Sequence, residues 1–182
     1  MAGGNTKWVD TGWQKILVNM AKLGGTRLQV GIVGGAAHEQ STTGGGNVGQ
    51  AALVNEFGSR RANIPERSFM RATQHDAAAE STMEKLAMVS LHGNVDAAFH
   101  EAGRHLAELM RDKIYHHGNF VGNAASTVKK KGFDHPLMDS SQLADAIGHQ
   151  LVRANAVDIV DAAGEGGDYE AFSVSAAESG GE

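Results

Sequence analysis

The sequence predicts an α+β fold, and three patterns along the chain indicate it. Apolar residues recur every three or four positions near the N-terminus, which is the spacing of an amphipathic helix. Residues 26–34 alternate between apolar and polar, as a half-buried strand does. Two long segments with helical periodicity then precede a C-terminal part rich in β-branched residues. We therefore expect a small antiparallel or mixed sheet packed against two long helices, with an N-terminal helix and a glycine-rich loop.

The first third of the chain divides into four predicted elements. An N-terminal helix begins after Asn5 or Thr6 as cap and ends at Gly24-Gly25. Its apolar stripe, expected to face the core, consists of Val9, Trp13, Ile16, Leu17, Met20 and Leu23. A strand follows at 26–34, then a flexible glycine-rich loop at 35–47, and then a short helix at 48–58 that Gly58 closes.

Two long helices are predicted at 67–91 and 95–117, the second ending before Gly118. A polar crossing segment at 118–136 leads to a short helix that Asp139 or Ser140 would cap. Residues 149–163 and 169–177 form two or three terminal strands. We predict a single domain over residues 1–182, with its core in about 7–175 and a flexible acidic tail at 176–182.

Composition and charge restrict the function. The 182 residues include no cysteine and carry a formal charge of −5, which excludes disulfides and thiolate metal sites and argues against a phosphate-binding protein. After Arg153 there is no Lys or Arg, while seven acidic residues follow: Asp158, Asp161, Glu165, Asp168, Glu170, Glu178 and Glu182. A partner of this segment should be basic or neutral. Without a signal peptide or a long apolar run, we expect a soluble protein made in the cytoplasm.

No pattern predicts an enzyme. Gly44, Gly46 and Gly49 have dinucleotide-binding spacing, but they lie about ten residues beyond the predicted strand and no lysine follows, so a mobile loop explains them better. His100 and His105 are five apart, roughly 140° around a helix, which is too far for two zinc ligands. Lys129-Lys130-Lys131 is typical of a solvated loop. We predict no catalytic, cofactor or metal site.

Two blocks of sequence resemble a known family. "ALVNEFGSRRANIPERSFMRA" and "GNAASTVKKKGFDHPLMDSSQLADAI" are similar, in order and separation, to motifs of tailed-bacteriophage tail-completion proteins, the virion-morphogenesis or minor tail (neck) proteins. The first block matches at Glu56, Phe57, Gly58, Ile64, Pro65, Arg67, Phe69 and Arg71. The second matches at Thr127, Lys131, Gly132, Pro136, Leu137, Asp139 and Leu143. Glu66, Ser68 and Ser141 depart from the pattern, and Ser141 stands at a glycine position, so a positive φ there is in question.

The resemblance implies a non-enzymatic structural protein of the virion, assembled in the host cytoplasm. It would form a homo-oligomeric ring, six- or twelve-fold, around the DNA channel at the head-to-tail junction. Its partners would be the connector and the tail terminator or tube proteins, with non-specific proximity to genomic DNA and no membrane. A tail terminator or another connector ring is the nearest alternative. A nucleotide-binding enzyme using the glycine-rich loop is a remote one.

The stretch "NIPERSFMRA" is expected to carry part of this role. Phe69 should pack in the core, and Pro65 should fix the direction in which the chain enters the following helix. Arg67 and Arg71 are four apart and would share one helical face. Two readings stay open: the arginines receive the acidic segment of a neighbouring subunit, or they pair within the chain with Glu56 or Glu66.

Overall fold

The computed structural model describes residues 12–34, 39–41, 46–116, 120–138, 141–153 and, for the backbone alone, 156–160. Within these residues the fold is α+β, with seven helices and an antiparallel sheet. The helices are α1 (Trp13–Gly25), α2 (Val48–Phe57), α3 (Phe69–Gln74), α4 (Ala77–His92), α5 (Val95–His116), α6 (Ala125–Lys131) and α7 (Gln142–Asp145). The strands are β1 (Thr26–Ile32), β2 (Ile147–Arg153) and β3 (Ala156–Val160).

The sheet has the order β1-β2-β3, and both pairings are antiparallel. Thr26 lies opposite Arg153 and Ile32 opposite Ile147, so the strand predicted from alternation pairs along its full observed length. Leu28 and Val30 are half-buried while Arg27 and Gln29 are exposed, as a period-two pattern requires, but Gly31 on the same face as the polar residues is buried. Two strands that are far apart in sequence thus pair in the sheet.

The longest helix, α5, joins the sheet to the other helices. It packs against α4 on one side and against β1 and β2 on another. One core cluster contains the buried residues Ala52, Phe69, Ala107, Met110, Ile114, Ala144 and Ile147. A second contains Leu86, Val95, Ala98, Phe99, Ala102 and Leu151. The first cluster contains Phe69 and packs against Leu137 and Leu143, and all three residues belong to the blocks that resemble the family.

Helix α1 lies within the predicted range, but only part of its predicted apolar stripe faces the core: Ile16 and Leu23 are half-buried, and Leu23 packs on the second cluster. The predicted core residues Trp13, Leu17 and Met20 are exposed by 61%, 43% and 53%, whereas Asn19 is buried. The Asn19 side-chain amide donates to the carbonyl oxygens of Leu91 and Gly93 at 3.1 and 3.2 Å. The last turn of a helix leaves carbonyls unpaired, and these bonds at the end of α4 fix which face of α1 turns inward. The predicted caps Asn5 and Thr6 lie outside the described residues.

The single helix predicted for residues 67–91 is wrong. The chain forms α3 and α4 with a break at His75 and Asp76. The Asp76 side chain accepts from the backbone N–H of Ala78 at 2.9 Å and so caps α4. Lys113 binds the other carboxylate oxygen at 2.5 Å, and this bond lowers the pKa of Asp76. An aspartate before an alanine run is a helix-start signal, which explains the break.

The turn before α7 takes the conformation that glycine favours. Ser141 has φ 60 and is the N-cap residue of α7, without a side-chain capping bond. The proposed caps Asp139 and Ser140 lie outside the described residues, as do Gly118, most of the glycine-rich segment 35–47, and residues 161–182 with the acidic tail. Among the helices described, none combines the length and apolarity needed to cross a bilayer.

Candidate functional site

A buried glutamate joins the end of α2 to the start of α3. Glu56 is 3% exposed, and its carboxylate accepts from the backbone N–H groups of Met70 and Arg71 at 2.9 and 3.1 Å. These two donors belong to the first turn of α3, where no carbonyl of the helix itself can reach them. Glu56 therefore acts as a cap supplied by another helix, and its negative charge suits a helix N-terminus.

Gly58 ends α2 and lets the chain turn back on itself. Its φ of 71 lies in a region that favours glycine. A Cβ atom built there would lie 2.9 Å from the backbone nitrogen of Glu66 and 3.1 Å from the carbonyl oxygen of Ile64. Both neighbours are backbone atoms that cannot move aside, so conformation and space each require glycine at this position.

Residues 59–64 form a tight hairpin after this turn. Ser59 and Ile64 exchange two backbone hydrogen bonds of 2.8 and 2.9 Å, and Asn63 has φ 51. Arg60 and Arg61 are exposed at the tip, while Ile64 and Pro65 are half-buried where the hairpin rejoins the core. The family-motif residues Ile64 and Pro65 thus anchor a loop that projects two guanidinium groups.

Arg67 is buried and hydrogen-bonded within the chain. It is 7% exposed, and its guanidinium donates to the carbonyl oxygens of Val121 and Gly122 at 2.9 and 3.1 Å and to Asn123 Oδ1 at 3.2 Å. Burial lowers the pKa of Arg67 from its ordinary value, and the nearby Asp134 carboxylate partly offsets this. The planar fork of an arginine can hold several acceptors at once, so Arg67 fixes the segment that leads into α6.

Arg71 binds two glutamates of its own chain. Its guanidinium contacts Glu56 at 3.2 Å and Glu66 at 2.5 Å, and it lies 5.4 Å from the centre of the Phe57 ring. The hydrogen bond to Glu56 is the main cause that raises the pKa of Arg71. Because Arg67 precedes α3, the two arginines do not share a helical face, and that expectation is wrong. Both engage groups within the chain.

The second block reaches the same core. Leu137 and Leu143 are half-buried and pack on the cluster that contains Phe69, which has 0% exposure. Leu137 has φ 64, Pro136 precedes it in the same turn, and Gly132 ends α6 with φ 82. The Lys131 ammonium donates to the carbonyl oxygen of His135 at 2.8 Å. Thr127 lies in α6, and Asp139 lies outside the described residues.

One buried polar residue was not expected from the sequence. His149 of β2 is 3% exposed and lies against α5, with its Nε2 3.2 Å from His100 Nδ1. Burial and the positive charges of His100, Arg104 and Arg111 lower its pKa to about 4. A Cβ on Gly103 would lie 2.4 Å from the His149 ring. A glycine in the middle of an otherwise regular helix is the signal that could have predicted a bulky side chain packed against it.

The arrangement around α3 is a structural one. Its charged groups hold backbone atoms and each other, and within the described residues no group of three or more His, Asp or Glu side chains could hold a metal ion. No protein-family model, no curated protein and no solved structure matches the chain in comparisons with known proteins.

Proposed function

We propose that this protein is a tail-completion protein of a tailed bacteriophage. In this proposal it is a non-enzymatic virion component that forms a ring around the DNA channel and joins the head connector to the tail. The proposal starts from the two sequence blocks that resemble that family and appear in its order. It extends to the finer architecture expected with them, in which two long helices pack on a small sheet and the glycine-rich segment orders on neighbouring subunits.

The observation that carries the proposal is a direct bond between the two blocks. Arg67 of the first block donates to Gly122 and Asn123 of the second block across more than fifty residues of sequence. A chance match of two unrelated segments gives no reason for such contact. The bond, together with the shared core of Phe69, Leu137 and Leu143, gives a physical reason why both blocks occur in one chain.

The positive-φ turn at Ser141 also supports the resemblance. The family pattern has glycine at this position, and the chain keeps the left-handed conformation even though it carries serine. A non-glycine residue in this conformation costs about 1 kcal/mol. The turn into α7 is therefore set by the surrounding fold and not by the preference of the local residue.

The exposed surface suits assembly. Large apolar side chains are exposed on α1, on α2, on α4 and next to α6: Trp13, Leu17, Val18, Met20, Leu53, Phe57, Met83, Met88, Val89 and Val121. Exposed apolar side chains on several helices offer area for contacts between copies, and heterologous contacts form a ring where the rotation from copy to copy closes. A net charge of −5 lets DNA pass a channel wall without adhering to it.

The test compares a phage that carries this gene with a mutant of the same phage from which the gene has been deleted. Electron microscopy of the lysate should show DNA-filled heads and finished tails that are not joined, and the gene supplied on a plasmid should restore joined particles. Infectious, joined particles in the absence of the gene would contradict the proposal. Tails of uncontrolled length would instead indicate a tail terminator.

A further inference from the structure

The hairpin at residues 59–64 is a rigid projection. Two backbone bonds between Ser59 and Ile64 close it, and the Ser59 hydroxyl accepts from the N–H of Ala62 at 3.3 Å. At its base, the backbones of Gly58 and Glu66 approach so closely that a Cβ on Gly58 would lie 2.9 Å from the Glu66 nitrogen. A loop fixed in this way loses little conformational entropy when it binds a partner.

Two positive charges at the tip have no counter-charge in the part of the chain that the structure describes. Arg60 and Arg61 are adjacent and exposed, and neither takes part in the ion pairs formed among the described residues. Arg67 and Arg71 on the other side of Pro65 are both engaged internally. The hairpin therefore presents two exposed guanidinium groups, whereas those of the neighbouring arginines are bound within the chain.

A hollow with both polar and apolar walls adjoins these charges. A concavity of about 390 Å³ is lined by hairpin residues and by Phe57, whose side chain is 64% exposed. Ile64 and Pro65 form part of its wall, and so does Glu66, whose carboxylate is bound to Arg71. An exposed aromatic ring beside arginines is the composition typical of binding hot spots. A fitting partner carries carboxylates and at least one apolar or aromatic side chain.

The chain itself contains a segment of that chemistry. Residues 165–172 read "EGGDYEAF", with three carboxylates around Tyr169 and followed by Phe172. No Lys or Arg occurs after Arg153, so nothing in this part of the sequence neutralises the carboxylates. Duplex DNA would offer phosphates to the arginines, but its bases are stacked inside the helix and present no apolar group to the hollow.

We propose that the hairpin surface, formed by Phe57, Arg60, Arg61 and the hollow between them, binds residues 165–172 of a second copy of this chain. The inference rests on the proposed function, because a contact between two different surfaces is what closes a ring. Arg60 and Arg61 bind carboxylates, and the hollow takes Tyr169 or Phe172. Charge complementarity then sets the order and direction of the subunits.

Fluorescence anisotropy with a labelled peptide of residues 161–182 tests the contact. The titrant is the full-length chain with Glu165→Gln, Asp168→Asn and Glu170→Gln, so that its own segment competes weakly. Arg60→Glu with Arg61→Glu should weaken binding about tenfold or more, since each lost charge-assisted bond contributes roughly 1 kcal/mol or more. Phe57→Ala should weaken binding about threefold to tenfold through loss of the aromatic contact.

The matched control is Lys129→Glu with Lys130→Glu, which makes the same change in net charge on α6. It should leave the peptide affinity within about twofold at physiological salt, because these lysines do not line the hollow and salt screens exposed charges. Equal losses in the two double variants would show a general charge effect and overturn the proposal. Unchanged circular dichroism of each variant establishes that the fold is intact.

A second experiment reverses the charges of the acidic segment in one variant and those of the hairpin arginines in another. Full-length chains with Glu165→Lys, Asp168→Lys and Glu170→Lys should associate with the Arg60→Glu, Arg61→Glu variant in sedimentation velocity, while neither variant associates with itself. Absence of that rescue would contradict the contact. DNA binding of the wild type and of the arginine double variant is compared by gel shift. If the variant loses DNA binding but still binds the peptide normally, the hairpin binds phosphate groups, and the proposed contact is overturned.

These measurements use no phage and stand apart from the deletion experiment. Joined particles without the gene would remove the proposed function and leave the peptide result intact. An arginine double variant that binds the peptide normally would remove this inference alone.

Discussion

Arg71 donates three hydrogen bonds to Glu56: from its backbone N–H and its Nε to the carboxylate, at 3.1 and 3.2 Å, and from Nη2 to the backbone carbonyl, at 3.1 Å. The last turn of α2 and the first turn of α3 are thus joined through one residue pair. Both residues lie in the first sequence block, and Arg67 connects that block to the second through its bonds to Gly122 and Asn123.

Replacing Glu56 by alanine should destabilise the protein by about 2–4 kcal/mol, because buried backbone donors at the start of α3 lose their acceptor. Urea unfolding followed by circular dichroism measures this. Glu66→Ala removes the other, exposed glutamate that contacts Arg71 and should cost about 0.5 kcal/mol or less. If the two variants are equally stable, the cap contributes nothing.

Two phenylalanines should respond differently to the same substitution. Phe69 has 0% exposure, so Phe69→Ala should lower the free energy of unfolding by roughly 3–5 kcal/mol and reduce the soluble yield. Phe57 is 64% exposed, so Phe57→Ala should change it by about 0.5 kcal/mol or less. A Phe69→Ala protein of normal stability that fails only in assembly would place Phe69 at an interface.

Two glycines with positive φ separate conformational cost from steric cost. Gly132→Ala meets no atom within 4 Å and should cost about 1 kcal/mol from conformation alone. Gly58→Ala meets backbone atoms at 2.9 and 3.1 Å and should cost at least about 1 kcal/mol more. Thermal unfolding of both variants measures the difference. Equal midpoints would mean that the hairpin base shifts to admit the methyl group.

His149 should make the protein less stable as the pH falls from 6.5 to about 4. Its folded pKa is lowered to about 4 from 6.5, so within this window the unfolded chain binds a proton that the folded chain does not. The free energy of unfolding lost in this way is at most about 3 kcal/mol, and no loss occurs at a pH above the pKa of the histidine in the unfolded chain. Urea unfolding across this range should show a smaller loss for His149→Gln than for the wild type.

The exposed His105 provides the control for that experiment. His105→Gln should keep the pH dependence of the wild type, and carboxylates that titrate in the same range contribute equally to all three proteins. Identical pH profiles for the wild type and His149→Gln would show that the imidazole in the sheet does not resist protonation.

Local patterns predicted the elements whose signals lie within one segment. The alternation in β1 and the glycine that ends α2 each have a physical cause in neighbouring residues, and the structure has both. The α+β class followed from their order. Residues 48–57 form a helix as expected because Asn47 and Gln50 complete a capping box at its start.

Contacts between distant segments were not predictable in this way. The apolar stripe of α1 was only partly right about the inward face, because the bonds from Asn19 to the end of α4 join residues over seventy positions apart. Spacing placed Arg67 and Arg71 on one helical face, but the helix begins only at Phe69, where Glu56 supplies the cap. No local pattern shows which carbonyls Arg67 will reach.

The central claim is that this chain forms a ring at the head-to-tail junction, and cryo-electron microscopy of virions tests it most directly. A phage that carries the gene is grown with a small tag fused to the N-terminus of the protein, and the tag is labelled with gold-conjugated antibody fragments. We predict label only between the connector and the tail, with density of six- or twelve-fold symmetry around the DNA channel. Label on the tail tip or fibres, or its absence from purified virions, would contradict the account.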